Sequence, residues 1–384
     1  AHPTYWDAQD DSYGIFPVAG RTSDTAVTIT GDHNWTGTES FVIENDLNAA
    51  AEDTDWLAKT PLVSAAHCNG SLFILDGLTP YVYNPQASSN RVYAWTARKG
   101  KIESTCTLIC NWRNRLVLAG ARSDPQNYFM SRQDEPWDFD YGMDDAQSAV
   151  AGNFGDGGRI GDPIRALCPI SENTLIVGCT RSIWALHGDP MAGGTVQRLT
   201  NQTGIMGPNA WTTDTAGTMY FLGDGGLYRL VPGGVPESLT ERRIPTLPDH
   251  QPVLPGVAGA SGQTYISMVY DTRRDGILIA LSPYTSATAT HYFYDLRNDA
   301  FWPESYPAAC GPSTQVFYNA SVPAYRKLLL GGRNGYLYEI SDSYKNDVVD
   351  DSTTVAVSSS ITMGPFRLAG EIDHLEIVSH GSSP

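Results

Sequence analysis

The chain has 384 residues, 42 of them acidic and 25 basic, for a formal charge of −17 and a pI near 4.7. That balance argues against holding nucleic acid by phosphate neutralisation, which needs clustered Lys and Arg; it permits a surface that DNA passes without being retained. Apolar content of 41%, with 37 Gly, 24 Pro, 20 Tyr and 9 Trp, predicts a folded chain of many short strands joined by many turns.

Residues 1–59 are polar and predict extended or loop structure, with one strand at 39–45, ESFVIEN. The weak apolar stripe of 44–59 predicts one short helix. No apolar run is long enough for a membrane helix, and no signal peptide is visible. The chain starts at Ala1 and stops just after the strand-like HLEIVSH, which reads as a processed or incomplete protein.

Next comes VSAAHC, residues 63–68, the phrase that surrounds the catalytic histidine of trypsin-like proteases. A hydrolytic serine needs a histidine base, a carboxylate to orient it and an oxyanion hole. The Gly-Asp strings at 155 and 223, GDGGRIGD and GDGGLYRL, contain no serine, and no G-x-S-x-G elbow occurs. His67 is therefore read as a structural residue, and no catalytic residue is expected.

From residue 71 a two-part unit recurs: an aliphatic strand, a turn and an aromatic-rich strand. It reads SLFILDGLTPYVYN from Ser71, RLVLAGARSDPQNYFMS from Arg115 and TLIVGCTRSIWALHG from Thr174. It returns as TMYFLGDGGLYRLV from Thr218, GILIALSPYTSATATHYFYDL from Gly276 and KLLLGGRNGYLYEIS from Lys327. The six copies start 44, 59, 44, 58 and 51 residues apart. Another run precedes most copies, such as STCTLICNW or TYISMVYD, and an outer strand follows several, such as NRVYAWTA or AFWPESY. Three to four antiparallel strands every 45 to 60 residues predict an all-β fold, a β-propeller of about six blades over 60–345. After a charged linker, 346–384 alternates like strands of a flanking β platform, which looks incomplete.

Several stretches could carry chemistry. The acidic run holding Asp134, Glu135, Asp138, Asp140, Asp144 and Asp145 could supply a glycosidase carboxylate pair or calcium ligands, but it does not fit a calcium-loop pattern and reads as a solvated loop. GNFGDGGRIGD at 152–162 is rich in glycine but lacks the GK[ST] ending of a phosphate loop, and reads as a connection between blades. The eight histidines are scattered; His187 and His291 fall in aromatic strands and read as packed imidazoles. Six cysteines lack zinc spacing and read as buried thiols, with Cys106 and Cys110 expected on one side of a strand. Sequons at Asn34, Asn69, Asn201 and Asn319 matter only in a eukaryotic secretory context. No metal or cofactor is expected. Tyr and Trp are abundant enough to line a sugar groove, which keeps a glycan-binding or glycan-cleaving propeller as the alternative, with a secreted propeller mediating protein contacts as a third reading.

Together, segments 114–142, 175–190, 215–230 and 328–344 resemble the tail nozzle or hub proteins of short-tailed bacteriophages, including the tail tubular B-like and needle-hub-like members. NRLVLAGARSDPQNYFMSRQDEPWDFDYG, LIVGCTRSIWALHGDP, TAGTMYFLGDGGLYRL and LLLGGRNGYLYEISDSY carry the likeness, which runs in order over roughly 110–384. The resemblance implies a non-enzymatic virion protein of the phage tail, assembled as a homo-hexameric ring. Such a ring continues the DNA ejection channel below portal and adaptor, contacts fibres, spikes or a plug, and lets DNA through transiently. An acidic channel wall is the expectation that follows from the charge. The chain is shorter than many such proteins, and its first 60 residues match none of their segments.

Overall fold

The structure is a computed structural model. It describes residues 62–340, apart from 88–90, 144, 153–159, 241–243, 245–246, 248–249, 286–288, 290, 309 and 334, together with strands at 18–23, 26–29, 346–348 and 354–356. The strand expected at 39–45, the helix expected at 44–59 and most of the platform lie outside those residues.

Six small antiparallel sheets form a six-bladed β-propeller. Blade 1 comprises Ser64–Cys68, Ser71–Leu75, Tyr81–Tyr83 and Val92–Ala94; blade 2 comprises Leu108–Trp112, Arg115–Ala119, Tyr128–Met130 and Val150–Ala151. Blade 3 is Ile164–Ser171, Thr174–Cys179, Ile183–His187 and Thr195–Thr200; blade 4 is Trp211–Thr213, Met219–Gly223, Gly226–Leu230 and Glu237–Ser238. Blade 5 runs Gln263–Asp271, Gly276–Pro283, His291–Asp295 and Ala300–Glu304, and Gln251–Pro252 adds a parallel fifth strand. Blade 6 has three described strands, Thr314–Tyr318, Lys327–Gly331 and Leu337–Glu339.

The six repeat copies read from the sequence each open on the second strand of a blade, and the runs before them are the first strands. Second strands are apolar through their middle because they are mostly covered on both faces. Leu116, Val117, Leu118 and Ala119 are all fully buried, as are Ile277, Leu278, Ile279 and Ala280. Burying one such aliphatic side chain contributes about 1.5–3 kcal/mol relative to exposure, so these central strands hold most of the core.

Tight hairpins need positive φ at both central residues. Asn69 and Gly70 supply it in blade 1, with φ of 47° and 75°. Blade 2 uses Arg113 and Asn114, at 54° and 56°, although arginine is an unusual choice there.

Blades 1 and 2 are joined by an aromatic plug. Phe73, Trp95 and Phe139 are buried, with Trp95 4.7 Å from Phe73 and 5.7 Å from Phe139 between ring centroids. Trp95 donates its indole N–H to the Pro136 carbonyl at 3.2 Å. Lys99–Gly100 runs parallel to Asp138–Phe139, and Gly100 adopts φ 68° there; a Cβ would lie 2.0 Å from the Phe139 oxygen, so only glycine fits.

Hydrogen bonds between first strands tie neighbouring blades. Ile109 N–H donates to Ser64 Oγ, Trp112 Nε1 to the Ser171 carbonyl, and Tyr270 N–H to Thr212 Oγ1. Blades 5 and 6 are joined where Ser267, 1% exposed, accepts the Gln315 N–H on its hydroxyl and Gln315 Nε2 on its carbonyl. Ser267→Ala leaves that buried N–H without its acceptor and is expected to cost about 1–2 kcal/mol, read as a fall in thermal midpoint.

Candidate functional site

The inner strands frame a cavity of about 320 Å³ on the propeller axis. Its wall includes Ala65, His67, Ile109, Asn111, Pro169 and Trp211, drawn from blades 1 to 4. No Asp, Glu, Lys or Arg lines it.

His67 stands exposed on the first strand of blade 1, and Asn111 Nδ2 donates to its carbonyl at 2.8 Å. Among the described residues neither a serine nor a carboxylate bonds its ring, so no hydrolytic triad forms around it.

In the acidic stretch, the described carboxylates with side-chain bonds serve their own chain segment or a nearby cation. Asp138, 4% exposed, accepts the Asp140 N–H at 3.0 Å and faces Lys99 Nζ at 3.7 Å. Asp140 accepts the Gly142 N–H at 3.0 Å. Asp145 accepts Arg132 at 2.9 Å and the Gln147 N–H at 2.8 Å, and the Arg132 bond holds its carboxyl below the usual range. Asp144 lies outside the described residues. No group of three or more possible metal ligands occurs among the described residues. What the sequence hid is that this segment's aromatics matter most: Phe139 fills the plug, and Trp137 packs edge-on to Phe73 beneath Arg98.

Most of the glycine-rich segment at 152–162 lies outside the described residues. Its end is a turn support: Asp162 Oδ2 accepts the Arg181 N–H at 2.7 Å and Ser182 Oγ at 2.9 Å. His187 Nδ1 lies 3.3 Å from Thr174 Oγ1 across the hairpin of blade 3. His291, 1% exposed, accepts the Leu281 N–H on Nδ1 at 3.0 Å and lies 5.2 Å from the Tyr306 ring. Burial pushes its pKa down to about 4, so the imidazole is neutral.

All six cysteines are buried and none forms a disulfide. Cys106 and Cys110 do not share a strand face, because Cys106 precedes the strand Leu108–Trp112. Cys106 packs in the core between blades 1 and 2, and Cys110 in the core between blades 2 and 3. Burial pushes the Cys179 thiol up to about 12 and those of Cys106 and Cys110 higher still. Thiolate is the reactive form. Ellman's reagent is thus expected to titrate almost no thiol in the native protein, and six after denaturation.

Blade 6 differs from the others. Its face toward blade 5 is packed: Leu328 and Leu330 join Val269, Leu278 and Phe293. The opposite face is open, with Val316 55%, Leu337 56% and Tyr318 39% exposed. Lys327 and Glu339 pair on that same face at 2.6 Å. Nearby in sequence, Trp302, Val322 and Tyr325 are also exposed. Exposed apolar side chains are thus concentrated on blade 6 and the segments beside it.

No protein-family profile matches the chain, and no curated protein is detectably similar to it. Among solved structures, two forms of the extracellular domain of a putative two-component or one-component system from B. thetaiotaomicron are similar. They share 10% identity each, with TM-scores of 0.36 and 0.38 over 88% and 91% of this chain. The chain spans 47% and 49% of those proteins, about half their length. A S. cerevisiae assembly of a Dbp5 variant with Nup159, Gle1, IP6 and ADP matches at 9% identity and TM-score 0.41, covering 72% of each chain.

Proposed function

We propose that this chain is a structural protein of a phage tail, a nozzle or hub subunit that assembles as a hexameric ring and extends the DNA ejection channel below portal and adaptor. The observation that carries the reading is the ordered resemblance of 114–142, 175–190, 215–230 and 328–344 to that family, segments that fall in blades 2, 3, 4 and 6. One feature supports it: the exposed apolar face of blade 6 suits a subunit that meets partners. No enzymatic activity is assigned; fibres, spikes or a plug are the proposed distal partners.

Electron microscopy of the purified protein and of native particles tests the proposal. Six-fold rings on the tail axis are expected. Val316→Asp combined with Leu337→Asp is expected to abolish rings while leaving the thermal midpoint within a few degrees of the parent. A protein that stays monomeric, also with the adaptor present, and is absent from particles would overturn the reading.

A further inference from the structure

At one end of the propeller, a second cavity of about 520 Å³ opens between blades 5 and 6, lined by Tyr265, Tyr284, Ser313, Gly332 and Arg333. That volume lies in the range of small-ligand pockets. Tyr265 and Tyr284 stand 5.9 Å apart at 38°, tilted against each other, and form its aromatic side. Arg333 reaches in from the turn between the last two strands of blade 6. Its NH1 donates to the Tyr284 carbonyl at 2.8 Å, and its guanidinium carbon lies 5.6 Å from the centre of the Tyr265 ring.

The remaining amino group of Arg333, NH2, has no hydrogen-bond partner. Nor does Arg333 form an ion pair, in a chain where acids outnumber bases 42 to 25. A charged donor withdrawn from water and left unpaired is unfavourable. None of the residues lining the cavity is acidic. A guanidinium held by one backbone bond and one ring, with a donor to spare, is set to accept an oxyanion from outside.

We propose that this cavity binds the carboxylate of an acidic saccharide, a uronic acid unit of a polysaccharide. The carboxylate is received by Arg333, the sugar's C–H face lies on Tyr265 or Tyr284, and the Ser313 hydroxyl serves a ring hydroxyl. An aromatic surface beside the guanidinium favours a sugar ring over an acidic peptide, whose carboxylate sits on a thin, flexible stem. The inference is independent of ring assembly and of the phage reading.

Calorimetric titration of the full chain with an oligoglucuronate, a neutral oligoglucose of equal length, acetate and poly-glutamate tests it. Saturable binding of the oligoglucuronate is expected, with the neutral oligosaccharide and acetate each weaker by roughly tenfold or more. Arg333→Met is expected to lose roughly tenfold or more and Arg333→Lys to retain part, because lysine offers a point charge without the planar fork. Both variants should keep the parent's thermal midpoint. Equal binding of neutral and acidic oligosaccharides, undiminished binding by Arg333→Met, tighter binding of poly-glutamate, or no saturable binding of the oligoglucuronate would each overturn the proposal.

Discussion

Replacing Arg115 with methionine is expected to destabilise the protein by about 3–5 kcal/mol, the range seen when one partner of a buried ion pair is removed. Arg115 is fully buried at the start of the second strand of blade 2. Its Nε and NH2 donate to the two oxygens of Asp189 at 3.0 and 3.3 Å. Asp189, 6% exposed, belongs to blade 3, where it also caps a short 3-10 turn by accepting the Met191 N–H. The remaining donors of Arg115 are spent on the carbonyls of Ser131, Gln147, Ser148 and Ala146. One side chain therefore fastens blade 2, the 145–148 turn and blade 3. Methionine fills the space but removes the guanidinium's donors from a buried carboxylate and four carbonyls. Arg115→Lys keeps the charge but not the fork, and should fall between the parent and methionine. Denaturant midpoints measure the loss. Limited proteolysis adds a local readout, because cleavage within 140–150 should accelerate in Arg115→Met. A loss below about 1 kcal/mol would show the pair to be dispensable, as some buried pairs are when the site repacks.

Acidification is expected to weaken the fold well before the carboxylates protonate, and His291 is the reason. Its pKa falls from 6.5 to about 4 because burial disfavours the charged ring. A depressed folded-state value means that the neutral ring's contribution is complete above pH 6.5 and is lost as pH falls toward 4 and through it. At 1.36 kcal/mol per unit, the depression corresponds to about 3 kcal/mol between those limits. The geometry explains the burial. The pairing of the second and third strands of blade 5 is registered from Gly276 to Ile279, and past its end the imidazole accepts the Leu281 N–H. A protonated ring would turn that acceptor into a donor facing a donor. His291→Gln keeps an acceptor without the titration, so its stability should be lower at pH 7.5 but nearly flat from pH 6.5 to 4.5. A parent protein equally stable at pH 7 and 4.5 would refute the assignment. Below that window a second loss begins. Burial alone would raise the Asp271 carboxyl, but hydrogen bonds from Arg274 and the Arg273 N–H outweigh it and hold it below its usual value. That contribution is present above the ordinary carboxylate range and disappears as pH falls through the lowered value.

The sequence alone determined the repeat. Each copy from Ser71 to Lys327 opens on the central strand of a blade, because a strand covered on both faces must be apolar at every position and the pattern then stands out. It also set VSAAHC apart from the protease phrase it resembles, because the partner motifs are missing from the sequence. Other features depend on residues far apart in sequence. Nothing local marks Arg115 and Asp189 as partners across 74 residues, or sets Arg333 beside Tyr265 and Tyr284. The acidic run around Asp138 reads as chemistry in one dimension, yet its carboxylates serve turns and its aromatics serve the core. Only the closing of blade against blade decided these matters, because periodicity reports which faces are covered and not which neighbour covers them.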